Sequence, residues 1–419
     1  ESMSAEALDS RGRHRVAITG LGVKTPAGST IDAFWSYLLS GKSAGAIIKC
    51  FDPSELSMRF ACEVTDFDPA DYMGPKEIRR VDRVVHLGLA AAVDAFADAG
   101  NPSVDPARGA VIAGNGIGGL QTLEEQHEVY LTKGPARVSP FLIPMMMPNA
   151  TAGHVSMHLG WTGPNMCIST ACASGTHAVG EATRLIREGT SDIVLAGGVE
   201  CTITPLAISA FARMGALSSR NDAPELASRP FDVDRDGFVM GEGAGFLVIE
   251  EWDHAIARGA RVYGEIVGYG RSADAHHITA PAPGGAGAVA CMQLALEDSG
   301  LAPSAIGHIN AHGTSTPLND AGEAEAILKV FGEAAPPVTS IKGATGHLIA
   351  AAGAVEAVAT ALAFHRGQIP PTANHVKTDP EIHVDVVAGS PRETPPGACI
   401  SNSFGFGGHN ASVIIAPTG

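Results

Sequence analysis

The sequence predicts an α/β fold whose sheets are buried between helices, and three observations carry that expectation. Short apolar runs recur along the chain with helix-like stretches between them, the pattern of sheets covered on both faces. With 419 residues, 45% of them hydrophobic and 17% charged, the chain can bury a core large enough for two domains or two fused halves. It holds 50 glycines and only 5% aromatic residues, which points to tight turns and close backbone approaches more than to an aromatic binding surface.

Taken in order, residues 1–13 read as a tail outside the fold, and the opening ESMSAEALDSRG is too polar for a secretory signal. Residues 14–22 read as a buried strand entering a Gly-rich turn, followed by a helix over 31–39. Further strands are expected over 109–114, 166–169, 192–197, 246–250, 262–270, 306–311, 338–341, 384–387, 398–402 and 411–416. A faint internal echo is present: 165–172 with the small-residue helix 173–188, and 338–342 with the helix 347–365, both have the form strand, turn, helix. The echo suggests duplication, with halves over 14–260 and 261–419 and a site at the seam between them.

The formal net charge of −16 argues against general affinity for nucleic acid or anionic membranes, so a phosphate-bearing partner needs a local basic patch. The seven cysteines (Cys50, Cys62, Cys167, Cys172, Cys201, Cys291, Cys399) are odd in number and contain no CxxC pair. Neither a disulfide framework nor a zinc ribbon is indicated, and a reducing cytoplasm is expected. No uncharged apolar run of membrane-spanning length is present.

Four segments carry candidate chemistry. Cys172, in STACASG (169–175), stands where a strand gives way to a helix; there the macrodipole and free N–H groups favour a thiolate or an oxyanion. The alternative is a small buried hydrophobe. His312, in INAHGTSTP (309–317), ends a strand and can point into a ligand crevice, or can be a satisfied structural histidine. In SIKGATGHL (340–348), Lys342 and His347 flank a tight turn, with a solvated surface lysine as the bland reading of Lys342. The helix that follows is apolar all round and has Glu356 as its one acidic residue, so a buried Glu356 calls for a partner, for which Lys342 is suited; a partly exposed Glu356 is the alternative. Last, NSFGFGGHN (402–410) is either a swinging loop whose Phe406 gates an apolar pocket or a plain hairpin connector.

The runs TACASGTH (170–177), GGVE (197–200), FDVDRDGFVMGEGAG (231–245), NAHGTSTPLND (310–320), KGATGHLIAAAGAVEA (342–357) and NSFGFGGHN (402–410) resemble, in order, the elongating type II β-ketoacyl-acyl-carrier-protein synthases. The resemblance spans roughly residues 14–416 and implies the thiolase fold, a duplicated five-layer αβαβα architecture, in a homodimer or in a heterodimer with a chain-length-factor-like subunit. It implies Cys172 as acyl acceptor, His312 and His347 as paired imidazoles, Lys342 as a positioning cation and Phe406 as gate, with the N–H groups of Cys172 and Phe406 facing the oxyanion. Glu323, Glu356, Thr314 and Thr316 are read as supporting groups, and Ile117, Phe211 and Phe406 as the acyl pocket; Leu142, beside the run Met145, Met146, Met147, is assigned to the acyl tunnel or, as the alternative, to the dimer seam. The implied reaction condenses an acyl thioester with malonyl-acyl carrier protein. It needs no metal and no cofactor beyond the carrier's phosphopantetheine. The second histidine distinguishes the chain from priming and chalcone-type enzymes, and Cys172 distinguishes it from chain-length factors. His409 stands where bacterial relatives often carry Thr.

Two rivals are weak. Residues 114–119 (GNGIGG) fit a dinucleotide fingerprint, but the acidic residue required about 20 positions on is missing. His276, His277, Cys167 and Cys172 lack zinc-ligand spacing. Because acyl carrier proteins are acidic, docking is expected at local cations: Lys76, Arg79, Arg80 and Arg83 form the densest group, with Lys133 and Arg137 as further candidates and a solvated face as the alternative.

Overall fold

In the computed structural model, which describes residues 7–418, the apolar runs become strands. In chain order they are β1 (Val16–Lys24), β2 (Gly109–Gly114), β3 (Asn165–Ile168), β4 (Ile193–Glu200), β5 (Gly243–Glu251), β6 (Gly264–Ala273), β7 (Ile306–Asn310), β8 (Val338–Thr339), β9 (Ala398–Gly405) and β10 (His409–Ala416). They lie side by side in the order β8-β7-β9-β10-β6-β1-β5-β4-β2-β3. This is one five-strand plan laid down twice: β3-β2-β4-β5-β1 and β8-β7-β9-β10-β6 differ only by five in every label. The pairing senses also repeat. β2 runs parallel to β3 and β4 while β5 is antiparallel to β4 and β1, and β7 runs parallel to β8 and β9 while β10 is antiparallel to β9 and β6. Among the described residues, the two sets pair at Ala17 opposite Glu265 and Ile18 opposite Gly264.

Helices fill the remaining layers. α1 (Arg83–Asp98) covers the outer face of the first set, and α3 (Ala286–Ser299), with α4 (Pro317–Phe331) packed on it, covers the second. Between the sheets lie α2 (Ser174–Arg187) and α5 (Ala352–Arg366), in contact with each other and with strands of both sets. The stack is therefore helix, sheet, helix, sheet, helix. Its central core joins Val16 and Leu247 of the first set, Val413 and Ile415 of the second, and Ile186, Val358 and Leu362 of the middle helices. The alanines and glycines of α5 let its backbone sit close to both sheets, and every residue from Ala352 to Ala363 is buried. Among the described residues, the helical stretch Ile349–Arg366 is the one long and apolar enough to cross a membrane; here 83% of it is buried inside the fold.

Two expectations are corrected. Residues 7–13 are not a tail: Arg15 N–H donates to the Ala7 carbonyl at 2.9 Å, and Arg13 pairs with Asp9 at 2.8 Å and Asp298 at 2.6 Å, so partnered charges hold the segment to the body. Residues 1–6 lie outside the described residues. Residues 384–387 are not a strand, because their neighbour β8 is two residues long and supports only a single bridge, between Val338 and Val386.

Candidate active site

The first element of the site is a strained turn. After β3, Ala171 adopts φ 51°, a left-handed conformation unusual for a residue with a side chain, and the reversal presents Cys172 at the head of α2. Thr170 N–H donates to Ser174 Oγ at 2.9 Å, and Ser174 Oγ–H donates to the Ala171 carbonyl at 2.6 Å, which closes the bend. The end of β9 comes against this elbow. A Cβ at Gly405 would stand 2.8 Å from the Thr170 carbonyl oxygen and 3.0 Å from Cys172 N, so only glycine permits the approach that brings the Phe406 N–H to the sulfur. Burial pushes the Cys172 thiol up to about 11, although Lys342 and the N–H groups of Phe406 and Cys172 favour the anion. The helix-terminus argument for a thiolate is thus outweighed by desolvation, and the sulfur rests protonated.

The imidazoles come from the other half. Beyond β7, the His312 and Gly313 N–H groups donate to the two carboxylate oxygens of Glu323, on α4, at 2.8 Å each. Beyond β8, the chain pairs with Val239 through a 2.8 Å bond from His347 N–H before entering α5. The two rings lie edge to face with centroids 5.5 Å apart. Burial, reinforced by the nearby Lys342 charge, holds both well below the usual histidine range, so both are neutral.

Their tautomers follow from their partners. Ile349 N–H donates to His347 Nδ1 at 3.1 Å, which leaves the proton on Nε2. Lys342 Nζ donates to the His312 carbonyl at 2.7 Å and to Glu356 Oε2 at 2.7 Å, and lies 3.3 Å from His312 Nδ1. A donor-only ammonium beside Nδ1 places the His312 proton on Nε2 as well. Burial pushes Glu323 and Glu356 up to about 7, against the pull of backbone N–H groups at Glu323 and of Lys342 at Glu356.

Cys172, His312 and His347 all line one cavity of about 340 Å³. Ile117, Phe211 and Phe406 give it apolar walls, and Thr314 and Thr316, whose hydroxyls lie 2.8 Å apart, add a polar margin. Lys342, Glu323 and Glu356 sit behind the rings, outside the lining. Leu142 does not join this cavity; it lies half-buried on the short helix Leu142–Met146, in an apolar stretch where Ile143 and Met147 are exposed. Arg83 is not a free surface cation, since its guanidinium turns inward to donate to Glu242 at 2.8 Å and to the Val64 carbonyl at 3.0 Å. Lys76, Arg79, Arg80, Lys133 and Arg137 are exposed, and Arg80 stacks 4.9 Å over the Phe141 ring.

Two residues of the site lack a role in the sequence reading. Gly405 lies inside a quoted motif, but nothing local reveals that β9 presses on the elbow. Glu200 is fully buried and accepts hydrogen bonds from Gly116 N–H at 2.9 Å and Ile117 N–H at 3.2 Å. Its signal was a carboxylate closing an otherwise apolar strand. The Gly-rich loop that imitates a phosphate cradle is occupied by the protein's own Glu200 carboxyl.

The N-terminal domain of the Beta-ketoacyl synthase family matches residues 13–255, and its C-terminal domain matches residues 263–376. The chain belongs to the β-ketoacyl synthase family. It is 47% identical over 409 residues to the 3-oxoacyl-[acyl-carrier-protein] synthase 2 of Synechocystis sp., covering 96% of this chain and 98% of that one. The ishigamide ketosynthase/chain length factor structure superposes with a TM-score of 0.92 at 35% identity, covering 97% of this chain and all (100%) of that one. A type II PKS acyl-carrier protein in complex with its ketosynthase bound to the hexaketide (AntDE:AntF) contains a chain that superposes at 0.90 with 32% identity, over 97% of this chain and 100% of that one. The protein is an acyltransferase of the condensing class with the thiolase fold of these relatives.

Proposed function

We propose that this chain elongates acyl thioesters by decarboxylative Claisen condensation with malonyl-acyl carrier protein, yielding 3-oxoacyl-acyl carrier protein, and that Cys172 holds the acyl group between the two half-reactions. The observation that carries the reading is the convergence of one thiol and two neutral, Nε2-protonated imidazoles on a single apolar cavity. In the first half-reaction the Cys172 sulfur attacks the carrier thioester carbonyl, and the N–H groups of Cys172 and Phe406 receive the oxyanion; each such donor is worth about 3 kcal/mol. The thiol proton leaves with the departing carrier thiol. Because the sulfur rests protonated, its ionisation belongs to this step.

In the second half-reaction the malonyl thioester carbonyl accepts hydrogen bonds from His312 and His347. Carbon dioxide departs, its bonding electrons pass into the enolate, and the new carbanion attacks the acyl carbon on Cys172. The sulfur leaves as thiolate and regains a proton. Neutral rings suit this task, since Nε2–H donates while neither imidazole needs to titrate. Lys342 holds His312 from behind and Glu356 balances its charge, so this pair is assigned to positioning. The cycle calls for no resident cofactor, because the substrates arrive on the carrier's phosphopantetheine.

The exposed cations Lys76, Arg79, Arg80, Lys133 and Arg137 are the proposed landing site for the acidic carrier protein. The pairing strand β3, at a sheet edge with Met166 exposed on it and Met157 exposed shortly before it in sequence, supports a dimer through that edge, either of identical chains or with a chain-length-factor-like subunit. A reducing cytoplasm fits seven free cysteines with a thiol nucleophile among them. The test is intact-protein mass spectrometry after exposure to acyl-acyl carrier protein, followed by malonyl-acyl carrier protein: an acyl adduct on Cys172 that discharges into a 3-oxoacyl product is expected. An adduct elsewhere, or none, rejects the assignment.

A further inference from the structure

The loop Asn115–Gly119 is pinned along its whole backbone. Gly116 and Ile117 donate to the two oxygens of Glu200, Gly118 N–H donates to Asn115 Oδ1 at 2.8 Å, and Gly119 N–H donates to the Met146 carbonyl at 3.1 Å. The fit at Glu200 admits nothing larger: a Cβ on Gly116 would lie 2.8 Å from Glu200 Oε2. The carboxylate also reaches the opposite half, where the Ala350 N–H, beside the elbow residue Ile349, favours its anion. Burial pushes Glu200 up to about 7 despite four backbone N–H groups turned toward it, so it is held there at a cost. Asp or Glu is uncommon in so dry a place without a function for its charge.

The second half uses the same device. Glu323 grips the two N–H groups beyond β7, and the residue thereby fixed is His312. Glu200 grips two N–H groups beyond β2, the equivalent strand in the repeated plan, and the side chain thereby fixed is Ile117, in the cavity wall with Cys172.

We propose that Glu200 is a positioning residue for substrate length: by pinning the backbone of Ile117 it keeps that side chain in the cavity wall and so limits how long an acyl chain Cys172 can accept. This rests on the acyl-transfer reading of the previous section. Releasing the loop lets Ile117 withdraw, and longer chains gain relative to short ones. A pocket can discriminate through one branched side chain because each misplaced methylene meets packed atoms.

The experiment compares wild type, Glu200→Gln, Ile117→Ala and the double variant, each offered saturated acyl-carrier-protein thioesters of four to sixteen carbons, with loading at Cys172 read by intact mass. Glu200→Gln is expected to raise the long-to-short loading ratio about fivefold or more, and to add nothing further in the Ile117→Ala background, since both act through one side chain. A parallel change at every length, as a merely structural role would give, overturns the proposal, and so does full additivity in the double variant. If Glu200→Gln does not fold, Glu200→Asp, which keeps the carboxyl but shortens its reach to the Gly116 and Ile117 N–H groups, carries the same expected ratio shift and is overturned by the same parallel change. Wild-type protein that never acylates at Cys172 instead refutes the underlying function.

Discussion

In the N-terminal half, residues 169–170 lead from β3 to an elbow at Ala171, with φ 51°, and Cys172 follows; in the C-terminal half, residues 340–348 lead from β8 to an elbow at Ile349, also at 51°, and Ala350 follows. The bend and the helix after it are shared, yet only one elbow presents a thiol to the cavity. Cys172 faces the cavity, whereas Ala350 is fully buried, with its carbonyl 2.4 Å from where a Cβ on Gly198 would stand. The second half makes its contribution before the bend: the longer connection holds both Lys342 and His347, and Ile349 N–H orients the His347 ring. The repeated plan supplies two equivalent frames, and a difference in connection length lets one present the Cys172 thiol to the cavity and the other the His347 imidazole.

The largest expected effect tests the elbows directly. Cys172→Ala is expected to lower condensation at least about 10³-fold, with loss of the acyl adduct by mass. Adding Ala350→Cys restores neither; an adduct on the new thiol would break the asymmetry between the elbows. Next, His347→Ala is expected to slow release of carbon dioxide from malonyl-acyl carrier protein by about 10²- to 10³-fold while changing Cys172 acylation less than about tenfold, because its donor serves the enolate step. Equal losses in both steps would dissolve the division of labour.

A third test concerns the pair behind the imidazoles. Lys342→Ala strands the Glu356 carboxylate and is expected to cost about 3 kcal/mol in urea unfolding, with part of the loss recovered by adding Glu356→Gln. Independent, additive losses would show that the pair is not a unit. The smallest effect concerns the thiol itself. Its folded value is raised, so the thiolate fraction is scarce at neutral pH and grows about tenfold per pH unit until the pH nears 11. Iodoacetamide alkylation of Cys172 in the substrate-free protein should climb through pH 9 without levelling; a plateau near pH 7 would restore the helix-terminus thiolate that burial has been argued to suppress.

Much of this was legible in one dimension. Strand-turn-helix signals placed Cys172 and His347 at the heads of two related helices, and the lone acidic residue of an apolar helix called for Lys342, which the 2.7 Å contact with Glu356 provides. Such features are local, or impose a local electrostatic demand, so sequence carries them. Arg83 was misread because its neighbours Lys76, Arg79 and Arg80 are exposed cations, whereas its own partner, Glu242, is remote in sequence. Leu142 was assigned to the acyl tunnel or the dimer seam; the first is set aside by its absence from the cavity lining, and nothing in its local sequence revealed which way its short helix faces.

The amino-acid sequence by itself determined the α/β class and marked Cys172, His312, Lys342 and His347 as candidates, because periodicity, turn chemistry and the cost of burying charge act over a few residues; their joint roles came from the family resemblance of the motifs. Tertiary structure alone decided the protonation of the thiol, the tautomers of the rings and the grip of Glu200 on a loop 84 residues away along the chain, because desolvation and hydrogen-bond direction depend on which distant backbones meet.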